Sequence, residues 1–291
     1  MNRRRFLHIT AAACAAPAAT LADAAPAIWK GRALGTDAQI AISGLPEHRA
    51  ALLWPKVEKL LDQIDADFSL HRASTLTRLN ETGHIANPTR ALQNIIAFSD
   101  RVHKATNGVF DPSIQPLWLA TARSEDTEAA RENIGWSRVQ TTQESVRLQP
   151  GMALTFNGIA QGFAADVIAE YLYGKGLRNV LVDMGEVMAL GQNGQQPWRI
   201  GIAGPEGAAL GETTLSNRAL ATSSPRGTLI GKGAAHILHP KGRPSLWSTV
   251  SVSGPSAAIA DALSTAFCLM DRAAIDHALT QFPQTRLAHI S

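Results

Sequence analysis

Arg178-Asn179-Val180-Leu181-Val182-Asp183-Met184-Gly185-Glu186-Val187-Met188-Ala189-Leu190 holds two short apolar runs separated at Met184-Gly185. Runs of this kind read as strands, here 178–183 and 186–190. Immediately before them, residues 160–174 read as a helix, and before that 153–156 reads as another short strand. Further strands are expected at 198–202, 217–222, 234–238 and 247–253, with a helix at 255–271. Toward the N-terminus, residues 27–43 alternate in strand fashion around a turn at Gly35. Leu53, Val57, Leu60, Leu61 and Ile64 fall at helical spacing and predict a helix over about 49–66. Pro55 fits that helix only in its first turn. Leu92, Ile95, Ile96 and Val102 predict a second helix, opened near Asn87-Pro88 and stopped by Asn107-Gly108. Long helices mixed with irregularly spaced strands argue for an α+β fold rather than a regular βαβ array. No GxGxxG and no Walker loop occur, which disfavours a Rossmann or P-loop nucleotide site.

The N-terminus points to export. Asn2-Arg3-Arg4-Arg5-Phe6-Leu7 sets paired arginines ahead of apolar residues, an uncharged run follows from Ile9 to Leu21, and Ala22-Asp23-Ala24 has the shape of a signal-peptidase site. The apolar run is too short to serve as a permanent membrane span. Residues 1–24 therefore read as a twin-arginine signal, with a single domain over 25–291 and a periplasmic destination. The full chain carries a formal charge of +3. Loss of three arginines and Asp23 would bring that to about +1, too little for a nucleic-acid binder. Once Cys14 is removed only Cys268 remains, so no internal disulfide is expected.

Four segments carry more than a fold requires. In Gly108-Val109-Phe110-Asp111-Pro112-Ser113-Ile114-Gln115-Pro116-Leu117-Trp118, two prolines and a glycine fix a tight bend that offers the oxygens of Asp111 and Ser113 at its tip. A plain helix-to-helix turn is the alternative reading. Gly158-Ile159-Ala160-Gln161-Gly162 stands at a strand-to-helix junction, where backbone amides can approach an anion, although close packing also selects glycine there. In Ser256–Ala266, Asp261 and Thr265 are one helical turn apart. A carboxylate and a hydroxyl on one face suit a hard cation such as Mg2+, and a solvated Asp beside a back-bonded Thr is the alternative. His236, in His236-Ile237-Leu238-His239-Pro240, can exchange a proton near neutral pH or simply be hydrogen-bonded.

Taken in order, these segments resemble the ApbE family of FAD:protein FMN transferases. The resemblance runs from Leu34-Gly35-Thr36 to about Met270. It includes Phe68-Ser69-Leu70-His71, Ser74-x-Leu76-x-x-Leu79-Asn80, the Phe-Asp-Pro turn at 110–112, Val182-Asp183-Met184-Gly185-Glu186 and Ala221-Thr222-Ser223. It implies two intimately joined lobes with a flavin cleft between them, and FAD cleaved to AMP while FMN passes to a Thr or Ser of an exported acceptor flavoprotein. Carried onto this chain, it implies Mg2+ held by Gly158, Asp261 and Thr265. It implies FAD contacts at Leu34, His71, Val109, Phe110, Asp111, Thr155, Gln161 and Ile237; His236 is the residue expected to assist the acceptor hydroxyl or its deprotonation. The twin-arginine signal resembles the NosX-type branch, which implies an acceptor of nitrous oxide respiration.

The chain departs from the family where Thr155-Phe156-Asn157-Gly158-Ile159-Ala160-Gln161-Gly162 stands for the usual Asp-Leu-Gly-Gly-Ile-Ala-Lys-Gly. An acid and a base are both replaced by neutral groups. His71 stands where Tyr is common, His239 where Asp is expected, and the stretch between Phe68 and Ser74 is one residue short. An FAD pyrophosphatase that releases FMN, or an FAD-binding protein that cuts nothing, are the alternatives these changes leave open.

Overall fold

The computed structural model describes residues 25–205 and 207–291. The arginine pair, the uncharged run, Cys14 and the expected cleavage site all lie outside the described residues. Among those described, no helix is long and apolar enough to cross a membrane.

A seven-stranded antiparallel sheet organises the molecule. Its strands are Ala27–Ala33, Thr36–Ile42, Val180–Asp183, Val187–Leu190, Arg218–Ser223, Val250–Gly254 and Arg286–Ile290, and they lie side by side in the order of the chain. Side chains alternate between its faces. Ile40, Ile42, Val180, Val182, Met188, Ala219, Ala221, Val250 and Val252 point to the main core. Ala41, Leu181, Val187, Ala189 and Leu220 point the other way and are covered by the hairpin Trp198–Ala203/Ala209–Leu215 through Trp198, Ile200, Ile202 and Leu215. At the centre of the sheet both faces are buried, which is why Val180–Asp183 and Val187–Leu190 read as apolar runs, whereas Ala27–Ala33 at the edge alternates.

Helices Trp54–Phe68, Arg90–Ala105, Ala160–Gly174 and Ala257–Phe267 fill the main core. Pro55 does fall in the first turn of its helix, where its missing N–H costs nothing. Helix Ala257–Phe267 is shorter than the expected 255–271. Ser256 caps its start, and Leu246 and Trp247 donate to the Cys268 carbonyl beyond its end. Cys268 itself is a buried free thiol.

The segment 153–156 is extended but pairs with no strand. The side chain of Asn80 takes the place of a neighbour, donating to the Leu154 carbonyl at 2.8 Å and accepting from its N–H at 2.7 Å. In the expected strand 234–238 only Ala234–Ala235 pairs, with Leu229–Ile230. Helices Glu47–Ala50, Thr75–Thr82, Gln115–Arg123, Thr127–Glu132 and Arg272–Thr280 and a small sheet of His84–Ala86, Ser145–Arg147 and Gln140–Thr141 surround this framework.

Candidate active site

A cavity of about 800 Å³ opens where the sheet, the 108–114 turn and the two core helices Ala160–Gly174 and Ala257–Phe267 meet. That volume suits a ligand of dinucleotide size.

Its inner wall is the strand-to-helix junction. Phe156 packs edge-on against Phe68 with ring centres 5.7 Å apart, and Phe68 stands in the same relation to Phe163. Together with the Asn80 clamp, these rings fix the backbone through 154–163. Gly162 is required because a Cβ there would lie 2.2 Å from the Ala257 carbonyl oxygen, so the two helices touch backbone to backbone. That contact lets the Gly162 N–H donate to Asp261 Oδ2 at 3.1 Å. Gly158 approaches the second helix less closely and through a side chain, since a Cβ there would meet Thr265 Oγ1 at 3.0 Å. Ser223 at the end of its strand bonds Ser264 Oγ at 2.8 Å and lies 3.2 Å from Thr265 Oγ1. The result is a small cluster of oxygens from Asp261, Thr265 and Ser223 beside Gly158, all lining the cavity.

Asp166 anchors the second helix. Its carboxylate accepts from Ser256 Oγ at 2.7 Å and from the Ala257 and Ala258 N–H groups at 2.8 and 3.0 Å. Burial raises its pKa while these hydrogen bonds oppose the rise. Asp261 therefore sits on a helix fixed at its first turn.

The opposite wall carries the 108–114 turn. Asp111 accepts from the N–H and Oγ of Ser113, and more distantly from Trp136 N–H at 3.4 Å. Its carboxylate is thus engaged in shaping the turn. His103 Nδ1 holds the Phe110 carbonyl at 2.8 Å.

His236 closes a third side. Its Nδ1 lies 2.9 Å from the Pro225 carbonyl oxygen and 3.1 Å from that of Thr228. Two carbonyl partners require a proton on Nδ1, so the neutral ring carries its lone pair on Nε2. Trp118 Nε1 donates to the His236 carbonyl at 3.1 Å and fixes the backbone there. His239 is buried beside it. Its pKa is lowered by burial first and then by Arg243 and Lys241, and its Nδ1 accepts the Lys241 N–H at 2.9 Å.

Val109, Phe110, Asp111, Thr155, Gln161, Ile237, Gly158, Asp261, Thr265 and His236 are thus brought together around one cavity. Leu34 and His71 stand outside its lining: Leu34 packs on the main core in a left-handed turn conformation (φ 49°), and His71 is exposed on the loop after Phe68. Phe68 to Asn80 supports the junction from behind instead of forming a wall. Gln161, the neutral residue in place of the family's lysine, donates to Thr36 Oγ1 at 3.0 Å and lies against Gly185, where a Cβ would come within 2.7 Å of its amide nitrogen. Lys30, Thr36, Gln39, Asp183, Glu186 and Trp118 also line the cavity; Thr36, Asp183, Glu186 and Trp118 lie in motifs quoted above without a role assigned to them, and Lys30 and Gln39 lie in none. A charged residue closing an apolar strand, as Asp183 does, was the signal that could have found one of them.

The sequence profile of the ApbE family matches residues 34–288. The chain belongs to the ApbE family. A FAD:protein FMN transferase of Salmonella typhimurium is 27% identical over 285 residues, covering 88% of this chain and 81% of that protein. The Escherichia coli K12 protein of the same name is 27% identical over 273 residues, covering 84% and 78%. Among solved structures, the flavin transferase ApbE from Vibrio cholerae superposes with a TM-score of 0.77 at 23% identity, over 88% of this chain and 90% of that one. The apo flavinyl transferase ApbE from Pseudomonas stutzeri gives 0.76 at 24% identity, over 88% of each chain. These likenesses establish a shared α+β ApbE fold.

Proposed function

We propose that this ApbE-family protein is a Mg2+-dependent FAD:protein FMN transferase acting on a hydroxyl of an exported flavoprotein. The observation that carries the reading is the convergence of an oxygen cluster and an oriented imidazole on one cavity of dinucleotide size. Among the described residues no group of three or more His, Cys, Asp or Glu side chains could hold a metal. A single carboxylate with neutral oxygens fits Mg2+, which takes its remaining ligands from water and phosphate, and does not fit a transition metal. Asp261, Thr265 and the Gly158 backbone are the residues that would hold it. When bound there, Mg2+ would neutralise charge on the pyrophosphate.

The chain's own groups supply the rest. The acceptor oxygen bonds to the FMN phosphorus, the bond from that phosphorus to the bridging oxygen breaks, and AMP leaves with that oxygen. The acceptor's proton goes to Nε2 of His236, whose Nδ1–H is held by two carbonyls so that the lone pair keeps one direction. The 108–114 turn and Ile237 give the apolar walls that orient a large planar ring.

The test is purified protein with FAD and Mg2+, with and without candidate exported acceptors, followed by mass spectrometry of acceptor and nucleotides. An acceptor heavier by one FMN unit, with AMP released in equal amount, is the expected result. FMN and AMP released alike without acceptor would make the protein a pyrophosphatase. FAD bound and recovered intact in every condition would make it a flavin carrier.

A further inference from the structure

Besides the oxygen cluster, the cavity has a second end, reached past the Gly185 turn on the hairpin-covered face of the sheet. Lys30 lies directly opposite Gln39, and Gln39 directly opposite Asp183, on three adjacent antiparallel strands. Directly opposed residues share a face, so the three side chains form a row about 10 Å long. They continue the apolar row Ile28, Ala41 and Leu181 two residues along the same strands, at the point where the hairpin stops covering the sheet and its tip residue Pro205 borders the cavity. The row runs from exposed at Lys30 to partly buried at Gln39 and Asp183.

Asp183 is the group that asks for a ligand. Its carboxylate accepts the Gly185 N–H at 2.9 Å, which leaves most of its acceptor capacity facing the cavity. Burial raises its pKa to about 6, the mark of a carboxylate short of donors. Among the described residues the Gly185 N–H is the one donor to it, and the amide nitrogen of Gln161, which reaches Gly185, donates to Thr36 instead. A carboxylate, a carboxamide and an ammonium side by side offer the mixture of acceptors and donors that neighbouring hydroxyl groups satisfy, because each hydroxyl both gives and takes a hydrogen bond. A planar apolar ring would leave all three unpaired, and a phosphate would be repelled by the carboxylate.

From this juxtaposition we infer that Lys30, Gln39 and Asp183 form a polyol subsite, binding adjacent hydroxyls of the dinucleotide through Asp183 and Gln39. The inference rests on the reading of FAD as substrate, and FAD offers this chemistry twice, in the ribose of its AMP half and the ribityl chain of its FMN half. Asp183→Asn and Gln39→Ala, each checked for folding by thermal melting, are compared with the unsubstituted protein by titration with FAD, AMP, 2′,3′-dideoxy-AMP, riboflavin and lumiflavin. A hydroxyl donating to a carboxylate is strong enough that Asp183→Asn should weaken FAD about ten-fold or more, with Gln39→Ala weaker in effect. If the ribose is held, the unsubstituted protein prefers AMP to the dideoxy compound and the variants lose the preference. If the ribityl chain is held, the same pattern appears between riboflavin and lumiflavin. Tight FAD binding unchanged in both variants overturns the subsite and leaves the transferase reading standing, whereas no FAD binding by the unsubstituted protein removes both.

Discussion

Gly158 and Thr265 are far apart in sequence, yet a single added methyl group at the first would press on the hydroxyl of the second at 3.0 Å. Gly158→Ala should cost only about 1 kcal/mol of stability, the usual scale of mild overpacking. Because catalysis is sensitive to displacements of this size, it should lower kcat/KM for FMN transfer on the order of ten- to a hundred-fold. Transfer kinetics read beside a urea melt check this, and unaltered kinetics would remove Thr265 from the proposed metal site. Asp183 leads to a prediction of opposite sign. Its pKa is raised from 3.8 to about 6 on folding, so the folded state holds its proton more tightly than the unfolded chain does. The resulting destabilisation is absent below about pH 4, grows between about 4 and 6, and is complete above about 6. Asp183→Asn keeps an acceptor for the Gly185 N–H and removes the charge. It should therefore stabilise the protein by roughly 1–3 kcal/mol above pH 6.5 and by little at pH 4. Chemical denaturation at both pH values checks it, and a gain independent of pH would mean that burial of the charge is not its cause. At this scale the oxygen cluster was legible because Asp261 and Thr265 are one helical turn apart. Lys30 and Gln39 were not, because only strand pairing makes them neighbours of Asp183.

The helix Ala257–Phe267 owes its position to Asp166 on the neighbouring helix, and the two form one unit. Asp166→Ala would leave the buried Ala257 and Ala258 N–H groups without their acceptor. The expected loss is roughly 2–4 kcal/mol, the sum of a lost cap and unsatisfied buried donors. Asp166→Asn, which keeps one acceptor oxygen, should lose less. Denaturant midpoints for the two variants measure this, and equal midpoints would mean the carboxylate is not what holds the helix. The junction helix was legible in the sequence to its boundaries, at 160–174, because apolar spacing and the flanking glycines agree. The segment 153–156 was not. Its apolar alternation has the form of a strand, but what satisfies its backbone is the amide of Asn80, a long-range choice that no local pattern records. Thr75–Thr82 hides for a related reason: what starts it is the reciprocal capping of Ser74 and Thr77, with few apolar residues to mark a face.

Across the whole molecule, the sheet follows chain order, but its strands do not become available together. Ile42 pairs with Val180, so joining the N-terminal hairpin to the rest of the sheet closes a loop over the long insertion between them. Closing so large a loop before its contacts repay it makes folding slow and leaves apolar strand edges exposed meanwhile. The α+β class could be read from the sequence, since helices and strands there are irregularly mixed. The sheet order could not, because strand pairing over such separations leaves no local trace. If exported, a chain of this kind would gain from folding first, and Arg3, Arg4, Phe6 and Leu7, read as a twin-arginine signal, would send it by the route that carries folded cargo. Folding first would also let the cavity take up FAD in the cytoplasm. Replacing both arginines by lysine (Arg3→Lys with Arg4→Lys) should leave a full-length, folded, protease-resistant protein in the cytoplasm with residues 1–24 uncut. Fractionation with immunodetection, and flavin content of the retained protein, measure both parts. If the double variant is exported and shortened normally, the general secretory route carries it unfolded, and loading with FAD before export is ruled out with it.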